Sequence, residues 1–232
     1  AEHVGPETID SRLWPRAAAI AERLWSPREV QDVGDMYRRL AEVSRQMEEL
    51  GVTQESHTGR MLRRIAGGEE TGALEALLEV AQPAYFGERS QLQRTTQLTP
   101  LTHLVDAARP DPLTRFRIGA MVDAFLADPL HAAWRDDLAR MFSGWRDLTP
   151  QLEAAAASPL AAEALPAGQT LGELGAAGLE AVEYLGRGAR PPEGWLARVT
   201  PVLDRADGPL GLLRLPFAPA LRRLVVAAGG MP

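Results

Sequence analysis

The 232-residue chain is long enough for one large or two small cores, and with 45% hydrophobic and 24% charged residues it has the composition of a globular protein. Every one of its 25 lysine-or-arginine positions is an arginine, and the net charge of −6 is spread with both signs interspersed, so no basic stripe for nucleic acid and no polybasic membrane segment is present. The absence of cysteine excludes disulfides, zinc–thiolate clusters and a cysteine nucleophile, and the longest apolar runs, such as 224–228, are far short of the ~20 residues that span a bilayer.

In chain order, Pro15 suits a first helical turn, and Ala17, Ile20, Ala21 and Leu24 recur at three- and four-residue steps, which predicts an amphipathic helix with one apolar face. Met36, Leu40, Val43, Met47 and Leu50 predict a second helix of about four turns ending at Gly51. Short helical patterns at Met61–Ile65 and Leu74–Leu78 follow, broken by Gly67, Gly68 and Gly72. Residues 82–112, with four prolines and a polar run, read as an extended connector with one short helix at Leu101–Ala108. Two stripes, Leu113–Phe125 and Leu130–Trp145, predict a helix pair joined through Asp128–Pro129, and further helices are expected at 148–157, 171–185, 193–205 and 218–228. Alternating β-branched patterns are nearly absent. The expectation is therefore an all-α chain, a multi-helix bundle or array, divided as 1–55, 56–111 and 112–232, with residues from about 100 onward able to fold by themselves.

The most specific stretch is Asp10–Ser26, with Arg12-Leu13-Trp14-Pro15-Arg16 opening a helix and Glu22-Arg23-Leu24-Trp25 closing it. It resembles the end of the catalytic barrel in family 20 glycoside hydrolases, the β-N-acetylhexosaminidases, and the similarity continues through Pro27-Arg28-Glu29-Val30 to Leu50-Gly51-Val52. The resemblance implies that residues 1–55 derive from the last βα unit of a (β/α)8 barrel, and that Ala1-Glu2 is the remainder of a Trp-x-Glu at the tip of its eighth strand. Glu2 would then accept hydrogen bonds from hydroxyls of a terminal N-acetylhexosamine, a task suited to an ionised, acceptor-only carboxylate at a strand C-terminus. His3 beside it is expected to be solvated, with a supporting role as the alternative. The resemblance also implies substrate-assisted retaining hydrolysis, in which an adjacent Asp-Glu pair orients the acetamido group and protonates the leaving oxygen. That pair would lie upstream of Ala1, so this chain alone is expected to be inactive. Its implied partners are an N-acetylhexosamine glycan, the remaining barrel of the same polypeptide and, through the apolar helix face, another copy. A periplasmic or secreted parent is compatible with the family, and the compartment is otherwise open.

Residue by residue, the other chemistry reads as structural. Glu48-Glu49, Glu69-Glu70 and Asp136-Asp137 are helix faces or caps, Glu22-Arg23 is an ion-pair element, and Trp14, Trp25, Trp134 and Trp145 are expected to pack rather than stack on sugar. His57, His103 and His131 have no metal-ligand spacing, and the glycine pairs follow helices instead of opening them after a strand, so neither a metal nor a nucleotide or other cofactor is assigned. The competing function is a non-catalytic helical module for binding or oligomerisation.

Overall fold

The computed structural model describes residues 3–230. Its helices in chain order are α1 (Ile9–Leu13), α2 (Arg16–Trp25), α3 (Val33–Glu49), α4 (Ser56–Ala66), α5 (Gly72–Leu78), α6 (Phe86–Leu92), α7 (Leu104–Ala107), α8 (Thr114–Ala127), α9 (Ala132–Ala155), α10 (Leu165–Arg187), α11 (Trp195–Ala206) and α12 (Ala218–Gly229). A 3₁₀ turn, Ala161–Ala164, leads into α10. Among the described residues the only sheet is a two-residue antiparallel pair, β1 (Gln82–Pro83) with β2 (Leu213–Arg214), in the register Gln82↔Arg214 and Pro83↔Leu213. The all-α expectation holds.

The centre of the molecule is the pair α9 and α10, which share the most extensive helix contact. Glycines make that contact close. A Cβ on Gly175 would fall 2.6 Å from the Phe142 carbonyl oxygen and 2.8 Å from the Arg146 nitrogen, and one on Gly178 would fall 2.8 Å from the Phe142 ring. Backbone meets backbone there, which explains why a helix so rich in glycine is stable despite glycine's poor propensity. Leu138, Phe142 and Leu152 of α9 face Leu171, Leu174 and Ala181 of α10, all buried. Trp145 stacks edge-on with Phe142 at 5.2 Å and lies 4.5 Å from the ring of Phe217 at the start of α12. Helices α8, α11 and α12 complete this layer.

Two local readings are corrected. The pattern at 148–157 is not a separate helix: α9 runs through Pro150 for 24 residues, about 36 Å, because α10 lies along it on both sides of the proline and packing outweighs the lost backbone hydrogen bond. The stretch 82–112 holds the expected short helix as α7, but it is not otherwise a plain connector, since it also carries β1 and α6, and Leu104, Val105, Asp106 and Ala107 are all buried. The core that contains α9 and α10 includes Met61, Leu62 and Ile65 of α4 and Leu74, Leu77 and Leu78 of α5, so it is continuous from residue 61 to residue 228.

Residues before Ser56 are attached differently. Beside a ring contact of Tyr37 with Phe116 at 4.1 Å, polar contacts recur: Arg12 of α1 donates to the carbonyls of Ala108 (3.0 Å), Val105 (3.4 Å) and Asp106 (3.4 Å) at the C-terminal end of α7, where helix carbonyls lack partners. Asp10 accepts from the backbone N–H (2.9 Å) and hydroxyl (3.1 Å) of Thr53, and Asp32 caps α3 through Asp35 N–H at 2.9 Å. Helix α2 buries none of its residues; Leu24 is 83% and Trp25 93% exposed, and Ile20 is also exposed. The expected packing of Trp25 is therefore absent here, whereas Trp14 is half-buried, Trp145 is buried and Trp134 lies at the surface. α2 touches the rest of the chain through Arg16, which pairs with Asp111, and through α3, where Glu22 pairs with Arg39 rather than with its neighbour Arg23. Arg23 instead donates to the carbonyl of Val30 at 2.9 Å, tying down the α2–α3 loop.

Candidate functional site

Glu2, the one residue to which the resemblance gives a substrate role, lies outside the described residues. Its neighbour His3 is described, and it is half-buried rather than solvated: Nε2 sits 3.0 Å from the Thr95 hydroxyl and the ring centroid lies 6.0 Å from that of Phe86. The chain next turns at Gly5, whose N–H donates to Thr8 Oγ1 at 3.0 Å, and enters α1. The peptide Trp14–Pro15 is cis, and Arg16 at the start of α2 holds Asp111 at 2.5 Å. The arginines of the Arg-Leu-Trp-Pro-Arg motif thus grip the helical region, one through α7 carbonyls and one through a carboxylate.

Between this segment and the β1–α6 corner lies a cavity of about 470 Å³, walled by His3, Arg16, Gln82, Tyr85, Phe86 and Arg89 among others. Its floor is polar and buried. Arg89 Nη1 pairs with Asp106 at 2.8 Å, both side chains almost wholly enclosed, and Arg89 Nε donates to Gln93 Oε1 at 3.1 Å. Asp106 is fixed from the other side by the His103 N–H at 3.1 Å. The remaining Arg89 Nη2 and the Gln82 Oε1 are buried without a hydrogen-bond partner. The rim is aromatic: Tyr85 and Phe86 are 58% and 51% exposed. Tyr85 is held from behind by the Arg214 guanidinium, 4.8 Å from the ring centroid, and Arg214 is in turn paired with Glu88. An open aromatic rim above a hydrogen-bonding floor can bind a small polar ligand.

The acidic pairs are engaged in structural contacts. Glu48 accepts from the N–H groups of Glu55 (2.6 Å) and Ser56 (3.2 Å), Glu49 pairs with Arg45, and Asp136 and Asp137 pair with Arg135 (3.2 Å) and Arg140 (2.8 Å). The histidines are dispersed: His103 Nδ1 meets Glu163 at 2.5 Å, the ring of His131 lies beside Trp134, and His57 is fully buried at the base of α4. Burial pushes the pKa of His57 down to about 4, helped by the nearby charges of Arg12 and Arg109, so its imidazole is neutral. No group of three or more histidine, cysteine, aspartate or glutamate side chains among the described residues could hold a metal. Sequence reasoning missed Gln82, Tyr85, Phe86 and Arg89; adjacent aromatics in a proline-bounded polar stretch were the available signal.

No family model matches the chain. A 51-residue stretch is 45% identical to the β-hexosaminidase subunit beta of Homo sapiens, covering 22% of this chain and 9% of that protein, and a 40-residue stretch is 52% identical to the Mus musculus subunit, covering 17% and 8%. The chitobiase of Flavobacterium johnsoniae superposes on 96% of the chain with a TM-score of 0.81 at 28% identity. The chain is similar over nearly its whole length to part of a family 20 glycoside hydrolase. It spans about a tenth of the length of those curated relatives and 33% of the solved chitobiase. The short stretches of high identity agree in extent with the motif-bearing first quarter, while the structural match carries family 20 architecture through the helices beyond it.

Proposed function

We propose that the complete polypeptide is a β-N-acetylhexosaminidase that removes terminal N-acetylhexosamine by substrate-assisted retaining hydrolysis, and that this chain supplies the barrel's final βα unit together with a helical extension. The observation that carries the reading is the match of 96% of the chain to a family 20 chitobiase, since it includes the helices as well as the motif. In this reading residues 1–55 complete the barrel, residues 56–111 and 112–232 form the extension, and Glu2 accepts hydrogen bonds from sugar hydroxyls at the strand tip. The remaining barrel covers the bare face of α2, whose Ile20, Leu24 and Trp25 have the character of residues that bury against a parallel sheet.

The carboxylate pair that orients the acetamido group and protonates the leaving oxygen belongs to the rest of the polypeptide, so the 232-residue chain alone does not turn over. The test is hydrolysis of an aryl β-N-acetylglucosaminide by the complete polypeptide and by this chain. Turnover is expected for the first and none for the second. In the complete polypeptide Glu2→Gln keeps the shape but removes charge-assisted hydrogen bonds of ~1.5 to 3 kcal/mol, and a roughly ten- to hundredfold fall in kcat/KM is expected. An unchanged kcat/KM removes Glu2 from the sugar site, and an inert complete polypeptide removes the hydrolase reading.

A further inference from the structure

A separate cavity of about 200 Å³ lies between the first segment and the helical region, with Trp14, Pro15 and Gln54 on one side and Glu79, Arg109 and Pro112 on the other. We propose that it binds a small organic cation carrying N–H groups, an alkylammonium or alkylguanidinium head, whose donors meet Gln54 Oε1 and the Glu79 carboxylate. The site draws nothing from the hydrolase reading, because all of these walls lie within this chain. Since they come from both sides of the junction, a bound cation also ties the first segment to the helical region.

The inner wall selects a hydrogen-bond donor. Gln54 is 2% exposed, and its amide orientation is fixed because Nε2 donates to the Ser44 carbonyl at 3.0 Å. The other amide atom, Oε1, is therefore an acceptor, and it is buried without a partner. A buried carbonyl oxygen with no donor is costly, and a ligand N–H at this wall removes that cost. The mouth selects positive charge. Glu79 is exposed, no arginine among the described residues pairs with it, and Thr114 holds its backbone by donating to its carbonyl. The neighbouring charges are engaged, Asp111 by Arg16 at 2.5 Å and Arg109 by Glu55 at 3.8 Å, so the carboxylate of Glu79 is left unbalanced. Trp14 adds an indole, the ring over which cations rest best. The volume selects a head group on a short chain, since it lies below the range of sites for drug-sized ligands.

The 232-residue chain carries the whole site, so it can be titrated directly with n-butylammonium in ¹H–¹⁵N correlation spectra. Saturable shifts of the Gln54 side-chain amide and the Trp14 indole N–H are expected, with a Kd of about 1 to 10 mM, together with slower amide exchange through α1. Glu79→Gln should weaken binding about tenfold and, because the side chain is exposed and unpaired, should keep the parent's melting temperature. Gln54→Met, which keeps the bulk but removes the acceptor, should weaken it at least about tenfold. Should Gln54→Met fail to fold, Glu79→Gln decides. Glu153→Gln, at an exposed carboxylate outside the cavity, should leave binding unchanged.

Two further probes separate charge from hydrogen bonding. n-Butanol offers a donor without charge and tetramethylammonium a charge without a donor, and each should bind at least about tenfold more weakly than n-butylammonium. Nα-acetyl-lysine N-methylamide distinguishes the source: binding equal to that of n-butylammonium assigns the site to a basic side chain of a partner, and binding of n-butylammonium alone assigns it to a free amine. No saturable shift at roughly 50 mM n-butylammonium, equal binding of n-butanol, or undiminished binding in Glu79→Gln overturns the site. Equal binding of tetramethylammonium overturns the role of Gln54.

Discussion

His57 shows how one side chain couples the N-terminal segment to solvent pH. Its imidazole is enclosed, Arg12 and Arg109 are the charges that act on it, and the backbone of Thr53 and Gln54 offsets only part of the cost of burial. The folded pKa of about 4 lies below the ordinary value of 6.5, so the unfolded chain binds the extra proton between those limits. The stabilising contribution of the neutral ring is therefore complete above pH 6.5 and is lost as the pH falls toward 4, by up to about 3 kcal/mol at 1.36 kcal/mol per unit. Urea unfolding at pH 7 and pH 4.5 should show this loss in the wild type and a smaller one in His57→Leu. An identical pH slope in the variant would show that other groups set it. Gly175 is a second position where a single side chain decides. An alanine methyl there would sit against backbone atoms of α9, which cannot rotate away, so Gly175→Ala is expected to destabilise by roughly 1 to 3 kcal/mol in the same assay, despite alanine's better helix propensity.

Among the elements, α2 stands out because it is regular and yet unpacked. Its exposed Ile20, Leu24 and Trp25 form one apolar face, and contiguous faces of this kind associate in water. Sedimentation velocity of the chain should show self-association that disappears in Ile20→Glu/Leu24→Glu with no loss of helical circular dichroism, since neither side chain is buried. An oligomer that persists in the double variant would place the contact elsewhere. The elements that were legible in the sequence were those with a repeating apolar stripe: Met36 to Leu50, Leu130 to Trp145 and 218–228 each announce a helix through local spacing. Helices α1 and α6 were obscure because much of what holds them is non-local and polar. Arg12 reaches carbonyls more than 90 positions away, and Arg89 meets Asp106 inside the protein, and neither contact leaves a period in the sequence. Pro150 misled in the other direction, since a residue that breaks isolated helices is tolerated where a partner helix runs alongside. The cavity was invisible for the same non-local reason, as its two sides, His3 and Tyr85, come from distant parts of the chain.

For the whole molecule, the continuity of the core sets what can fold alone. The expectation that residues from about 100 onward suffice omits Leu62, Leu74 and Leu77, which are fully buried in the same core as α9 and α10. A truncation beginning at Ser56 should therefore unfold cooperatively, whereas one beginning at Pro100 should lose the sharp transition, because each missing large apolar side chain removes about 2 to 5 kcal/mol. A cooperative 100–232 species would show that α4 and α5 are dispensable. In the intact chain, hydrogen exchange should be fast through α1 and α2 and slowest along α9 and α10, with comparable rates in both regions contradicting the layered stability.

The small β1–β2 clasp has a kinetic meaning. It joins Gln82 to Arg214, and the adjoining ion pair links residues 126 positions apart, so its formation closes a loop that spans most of the helical region. Closing so long a loop for two residues of pairing is entropically unfavourable until the intervening helices have docked and brought its ends together. The clasp therefore forms late. Tyr85 and Arg214 stand at this clasp, which makes the β1–α6 corner and the cavity it walls the last part of the protein to mature, and a nascent chain acquires this surface only after its core is complete.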